Sequence, residues 1–145
     1  LMLAAAPLVV LDMGTATTIS VVDADKSILG AIIIPGLQLS MRTLCTTAAQ
    51  LGEIPLEQKP ELIGRDTRAS ISSGVLNGNA LMIDGFIRSI RETLGTKDSG
   101  TSLSLLATGG SFPAVEPLLR NKFTYSDTLT LFGEAVLFVQ NNKIF

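Results

Sequence analysis

Residues 8–18 read LVVLDMGTATT. Leu8, Val9, Val10 and Leu11 form an unbroken apolar run with β-branched residues at its centre, the pattern of a strand buried on both faces. The run delivers Asp12 to the strand's carboxyl end. Gly14 then lets backbone approach a ligand with no Cβ in between, while Thr15, Thr17 and Thr18 bring hydroxyls beside free backbone N–H groups. Such a turn is a cradle for phosphate oxygens. Asp-x-Gly-Thr also suits an ordinary tight turn between two strands, where Asp and Gly serve backbone geometry. Taken alone, residues 8–18 leave both readings open.

Around this stretch lies a chain of 145 residues, 46% apolar and 17% charged. That is one domain's worth, long enough to bury roughly two thirds of its surface. The composition is that of a packed α/β protein rather than a disordered one. A net charge of −2, with no basic stripe, argues against nucleic acid as a partner. The single Cys45 excludes an intrachain disulfide, and the absence of His removes the commonest metal ligand and general base. Residues 1–11 are apolar but lack a basic leader. Pro7 interrupts them, and they fall short of the about 20 residues a membrane span needs. A soluble, cytoplasmic protein with no membrane partner is expected. Because the chain does not begin with Met, an upstream portion is expected too.

Read in order, residues 1–6 resemble a helix tail that stops at Pro7. Strands are predicted at 8–11, 18–22 and 28–34, joined by tight turns into a meander. Pro35-Gly36 ends the third and opens a helix over 37–51, with Leu37, Met41, Leu44, Ala48 and Leu51 at helical spacing. Residues 52–66, broken by Pro55 and Pro60, read as the longest loop. A long helix follows over 67–94 with Ile71, Val75, Met82, Phe86 and Ile90 on one side. Gly74, Gly78 and Gly85 inside it suggest close packing of another helix or a break, and close packing is the expectation. A fourth buried strand at 103–107 runs into Thr108-Gly109-Gly110, and further helices are predicted at 112–120 and 130–141. Ser126-Asp127 suits a cap or turn before the last.

Asp12, Gly14, Thr15, Thr17 and Thr18, followed by Pro35-Gly36, the run Ile63-Gly64-Arg65-Asp66-Thr67 and Thr108-Gly109-Gly110, resemble the carboxyl-terminal half of the type III pantothenate kinases. The resemblance runs from about Pro7 to Asn141. It implies an α/β fold, one half of an actin-like (ribonuclease H-like) kinase fold, with a three-stranded meander followed by helices and a further strand. It implies a single second domain over 1–145 whose first domain lies outside this sequence, because the family's amino-terminal Asp-x-Gly-Asn-Thr turn and the motif bearing its catalytic base do not occur here. Asp66 and Asp84 lie in other contexts and are no substitutes, so this chain alone is not expected to catalyse.

The resemblance further implies ATP-dependent phosphorylation of pantothenate at the first step of coenzyme A synthesis. ATP would contact Gly14, Thr15, Gly109 and Gly110, with magnesium accompanying the nucleotide. Asp12 matches the ligand of a monovalent cation, potassium or ammonium, and Thr67 matches the pantothenate contact. By its residue type and position, Thr67 also reads as a plain helix N-cap. The family is dimeric, its substrate pocket completed across the subunit boundary near the residues matching Thr67, so a homodimer is expected, with the Gly74, Gly78, Gly85 strip or its neighbour at the interface. The alternative reading is a non-enzymatic accessory factor of the same fold, as some relatives have been named transcriptional activators.

Overall fold

The computed structural model describes residues 4–48, 52, 54–55, 59–96, 102–131 and 133–135. Strands β1 (Leu8–Met13), β2 (Ala16–Val22) and β3 (Ile28–Pro35) form the meander. Helices α1 (Leu37–Thr43) and α2 (Thr67–Thr93) follow, then β4 (Ser104–Thr108), α3 (Phe112–Val115) and β5 (Thr124–Tyr125). The sheet order is β3-β2-β1-β4-β5. β1 runs antiparallel to β2 and parallel to β4, so the two central strands end at the same edge, with Asp12 opposite Thr108. The result is a mixed α/β architecture, a three-stranded antiparallel meander extended by the parallel strands β4 and β5.

Alternation along the strands sorts the sheet into two faces. Val9, Leu11 and Met13 of β1, Ile19 of β2, and Leu105 and Ala107 of β4 join one core with Leu37 and Met41 of α1. α2 covers them with Leu76, Ala80, Ile83, Ile87 and Ile90, all buried and spaced by three or four residues. Fully buried side chains of the size of Leu11, Leu76 or Ile83 each stabilise the fold by about 1.5–3 kcal/mol, before the entropy of ordering them is set against it.

Several expectations are corrected. Residues 4–6 are not helical; residues 1–3 lie outside the described residues. The first helix stops at Thr43 and continues as a π-helical turn, Leu44–Ala48, while residues 49–51 are outside the description. The stretch 112–120 is a short α3 and a 3₁₀ turn, Glu116–Leu118, because Pro117 offers no N–H to prolong the helix. β5 was not anticipated. Of the predicted last helix, residues 130–131 and 133–135 are helical and 136–141 lie outside the described residues.

α2 is one unbroken helix; of the expected stripe Val75 and Ile90 are buried and Ile71 and Phe86 pack against the core, while Leu76, Ala80, Ile83 and Ile87 widen the buried face. Phe86 packs half-buried against the core and Met82 is half-buried outside it, while Ile83 and Ile87 are fully buried within it. The glycines do not mark intrachain packing. A Cβ placed on Gly74, Gly78 or Gly85 meets nothing within 4 Å.

Candidate functional site

Parallel pairing of β1 with β4 sets two turns side by side at the carboxyl edge of the sheet, where open α/β sheets bind ligands. Ser111 N–H donates to the Met13 carbonyl at 3.1 Å, tying the second turn to the first. Gly109 makes that approach possible. Its φ is +92°, and a Cβ there would lie 2.6 Å from the nitrogen, carbon and oxygen of Met13. Phe112, fully buried just beyond, stacks on Tyr125 at 5.1 Å and meets Phe123 edge-on at 5.8 Å. The unanticipated β5 therefore buttresses the turn from below.

A third wall comes from α1. A Cβ on Gly36 would collide with the carbonyl oxygens of Gly14 and Thr15, so this glycine lets the helix begin directly against the first turn. Met13, Gly14, Thr15, Gln38, Leu39, Arg42, Gly110 and Ser111 then enclose an open cleft of about 460 Å³. Gly14 N–H is occupied by the Ala16 carbonyl at 3.1 Å. The N–H groups of Thr15 and Gly110 donate to no backbone carbonyl among the described residues.

The glycines of the site divide by what demands them. Gly36 and Gly109 are required by the chain itself. At Gly110 a Cβ would meet nothing within 4 Å, and at Gly14 it would make ordinary contact, 3.7 Å from Asp12 Oδ1. Neither has a positive φ. Gly14 and Gly110, the two that line the cleft, are those whose missing side chains leave room for a ligand.

Asp12 lies half-buried at the end of β1, next to the cleft rather than in its lining. Thr18 and Thr108 are its cross-strand neighbours, so their side chains share its face of the sheet. No hydrogen-bond donor approaches its carboxylate among the described residues, and they contain no group of three or more His, Cys, Asp or Glu side chains. Asp12, with Thr18 and Thr108 beside it, is the oxygen set at this edge that could hold a cation.

Thr67 stands apart. It occupies the first turn of α2, exposed, and does not line the cleft. The cap belongs to Asp66, whose carboxylate accepts from Ala69 N–H at 2.9 Å. The preceding loop is pinned along the helix: Ser73 Oγ donates to the Leu62 carbonyl at 2.6 Å and Asn77 Nδ2 to Pro60 at 3.3 Å. Gly64 sits against the backbone of Ala69 and Ser70, with no room for a Cβ.

The sequence profile of the type III pantothenate kinases matches residues 2–89. This chain belongs to the type III pantothenate kinase family. A family member from Thermomicrobium roseum is 38% identical over 128 residues, 88% of this chain and 48% of its own length. One from Rubrobacter xylanophilus is 38% identical over 137 residues, 94% of this chain and 52% of its own. The chain thus spans about half the length of the curated relatives it matches. Among solved structures, a Campylobacter jejuni protein described as a Baf family transcriptional activator superposes with a TM-score of 0.64 at 22% identity, covering 94% of this chain and 59% of its own; this likeness speaks for the fold.

In this member of the type III pantothenate kinase family, three of the residues read from sequence, Gly14, Thr15 and Gly110, meet in one cleft. Gly109 supports it from beneath, Asp12 flanks it and Thr67 lies elsewhere. Gln38, Leu39, Arg42 and Ser111 were missed. A signal existed for one of them: Arg42 is the only basic residue between Lys26 and Lys59, in a stretch with no acid from Lys26 to Gly52.

Proposed function

We propose that this chain is the second domain of a pantothenate kinase, supplying the nucleotide- and pantothenate-binding half of an enzyme that transfers a phosphoryl group from ATP to pantothenate. The observation that carries this reading is the cleft at the carboxyl ends of β1 and β4, with two ligand-facing glycines, two free N–H groups and the Thr15 hydroxyl around it. Phosphoryl transfer depends chiefly on positioning and charge neutralisation. Thr15 and Gly110 hold phosphate oxygens, and Gly14 keeps the approach clear. Asp12 holds a potassium or ammonium ion, which together with the magnesium carried by ATP offsets phosphate charge. Thr67 binds pantothenate. The complete protein is a cytoplasmic homodimer, and this half alone is inactive. Outward-facing Gly74, Gly78 and Gly85 support an interface on α2, and light scattering of the complete protein decides it: a monomer at micromolar concentration removes the dimer.

The test is pantothenate-dependent release of ADP by the complete protein. Thr15→Val is expected to raise the KM for ATP about fivefold, the equivalent of one hydroxyl contact of about 1 kcal/mol, and to leave the KM for pantothenate unchanged. Absence of phosphoryl transfer to pantothenate would overturn the proposal and favour a non-enzymatic accessory factor of the same fold.

A further inference from the structure

Among the described residues that line the cleft, Arg42 carries the one charged side chain. On a helix, an acid three or four residues away is placed to pair with an arginine. Arg42 has Gln38 and Leu39 on one side and Cys45 and Thr46 on the other, and no acidic residue occurs between Asp25 and Glu53. Its backbone carbonyl accepts from Thr46 Oγ1 at 2.8 Å. Its guanidinium makes no hydrogen bond or ion pair among the described residues, whereas Arg65 lies 3.6 Å from Glu61 and Arg91 bonds Asn121 at 2.7 Å.

Gly36 fixes where this cation points. Because α1 begins against the carbonyls of Gly14 and Thr15, its second turn is held beside the same cleft that exposes the free N–H groups of Thr15 and Gly110. A planar guanidinium and two backbone donors around a concavity with no acidic side chain in its lining form a receptor for an oxyanion with several acceptor oxygens. We infer that Arg42 is a binding residue for the phosphate chain of the nucleotide, closing the α1 side of the cleft over oxygens that the two turns hold from below. The inference rests on the nucleotide reading of the cleft and adds to it the side chain that supplies positive charge.

The experiment is calorimetric binding of ATP, adenosine and pantothenate to the complete protein and to its Arg42→Gln, Arg42→Lys and Thr15→Val variants. Arg42 is exposed and has no partner among the described residues, so thermal unfolding of both Arg42 variants is expected to match the parent. Arg42→Gln is expected to weaken ATP about tenfold and leave adenosine and pantothenate unchanged. It should also flatten the salt dependence of ATP binding. Arg42→Lys, which keeps charge but loses the fork, is expected to fall between. Unchanged ATP affinity in Arg42→Gln, with Thr15→Val weakened, would overturn the role of Arg42 and leave the nucleotide site standing. Unchanged affinity in both variants would overturn the nucleotide reading and the inference with it. A loss confined to pantothenate would overturn the inference by assigning the cation to the acceptor's carboxylate.

Discussion

Adjacent glycines in one turn are expected to respond to the same substitution with opposite signs. In Gly109→Ala the new Cβ would lie 2.6 Å from three backbone atoms of Met13, on a residue whose φ is +92°. That backbone conformation costs a side-chain-bearing residue about 1–3 kcal/mol. Relieving the overlap means moving β1 or β4, both in the centre of the sheet, and overpacking of this kind costs a further about 1–3 kcal/mol. The sum, about 2–6 kcal/mol, is a large share of a typical domain's stability and corresponds to a Tm lower by about 5–20 °C. Gly110→Ala places its Cβ where nothing lies within 4 Å, on a residue without positive φ. Restricting the unfolded chain there is expected to hold Tm or raise it by the equivalent of about 0.4–1 kcal/mol. The same Cβ enters the cleft and is expected to weaken ATP severalfold. Scanning calorimetry and nucleotide titration of the two variants check both halves. A Gly109→Ala protein as stable as its parent, or a Gly110→Ala protein destabilised to the same degree, would refute the division of these glycines into one the chain needs and one the ligand needs.

Asp84 of α2 accepts from the backbone N–H groups of Arg120 at 2.9 Å and Asn121 at 3.2 Å and from Asn121 Nδ2 at 2.7 Å, so Asp84→Ala unties the segment leading to β5. The expected loss, discounted for partial exposure, is about 1–2 kcal/mol in urea denaturation with ATP binding little changed; an unchanged midpoint would show that the 3₁₀ turn holds this segment unaided. Asp12→Asn in the complete protein is expected to lower activity and blunt activation by potassium, since it removes the charge facing the cation. Full potassium activation in that variant would take Asp12 out of the site.

What was legible in the sequence depended on how local the cause was. β1 to β3 were readable within two residues at each end because apolar runs alternate with Asp, Lys and Gly turn chemistry, and α2 was readable to within one residue from the helical spacing of its apolar residues, although its cap is Asp66 and not Thr67. Its buried face was read only in part, with Val75 and Ile90 in the core and Met82 outside it, because α2 has apolar residues on more than one side. Met82 and Phe86 are larger than Ala80, yet the stripe of Leu76, Ala80, Ile83 and Ile87 is the one the sheet covers. β5, two residues long, has no period to detect. It exists because β4 offers an edge beside it and Phe112 offers Tyr125 a ring to stack on.

The same distinction explains the site. Its two turns announce themselves because each is a strand's end followed at once by glycine, a pattern consecutive in the chain. The α1 wall does not, since Gln38 and Arg42 belong to the cleft only through the absence of a side chain at Gly36 and the carbonyls it meets at Gly14 and Thr15. Pro35-Gly36 was legible as a strand stop and helix start, and both are correct, but its larger consequence is one of position. A residue larger than glycine there would push α1 off the turn and take Arg42 with it, even if every cleft-lining group of the two turns stayed in place. The cleft's charge is therefore set by a contact between two backbones, which is why no motif confined to residues 8–18 can reveal it.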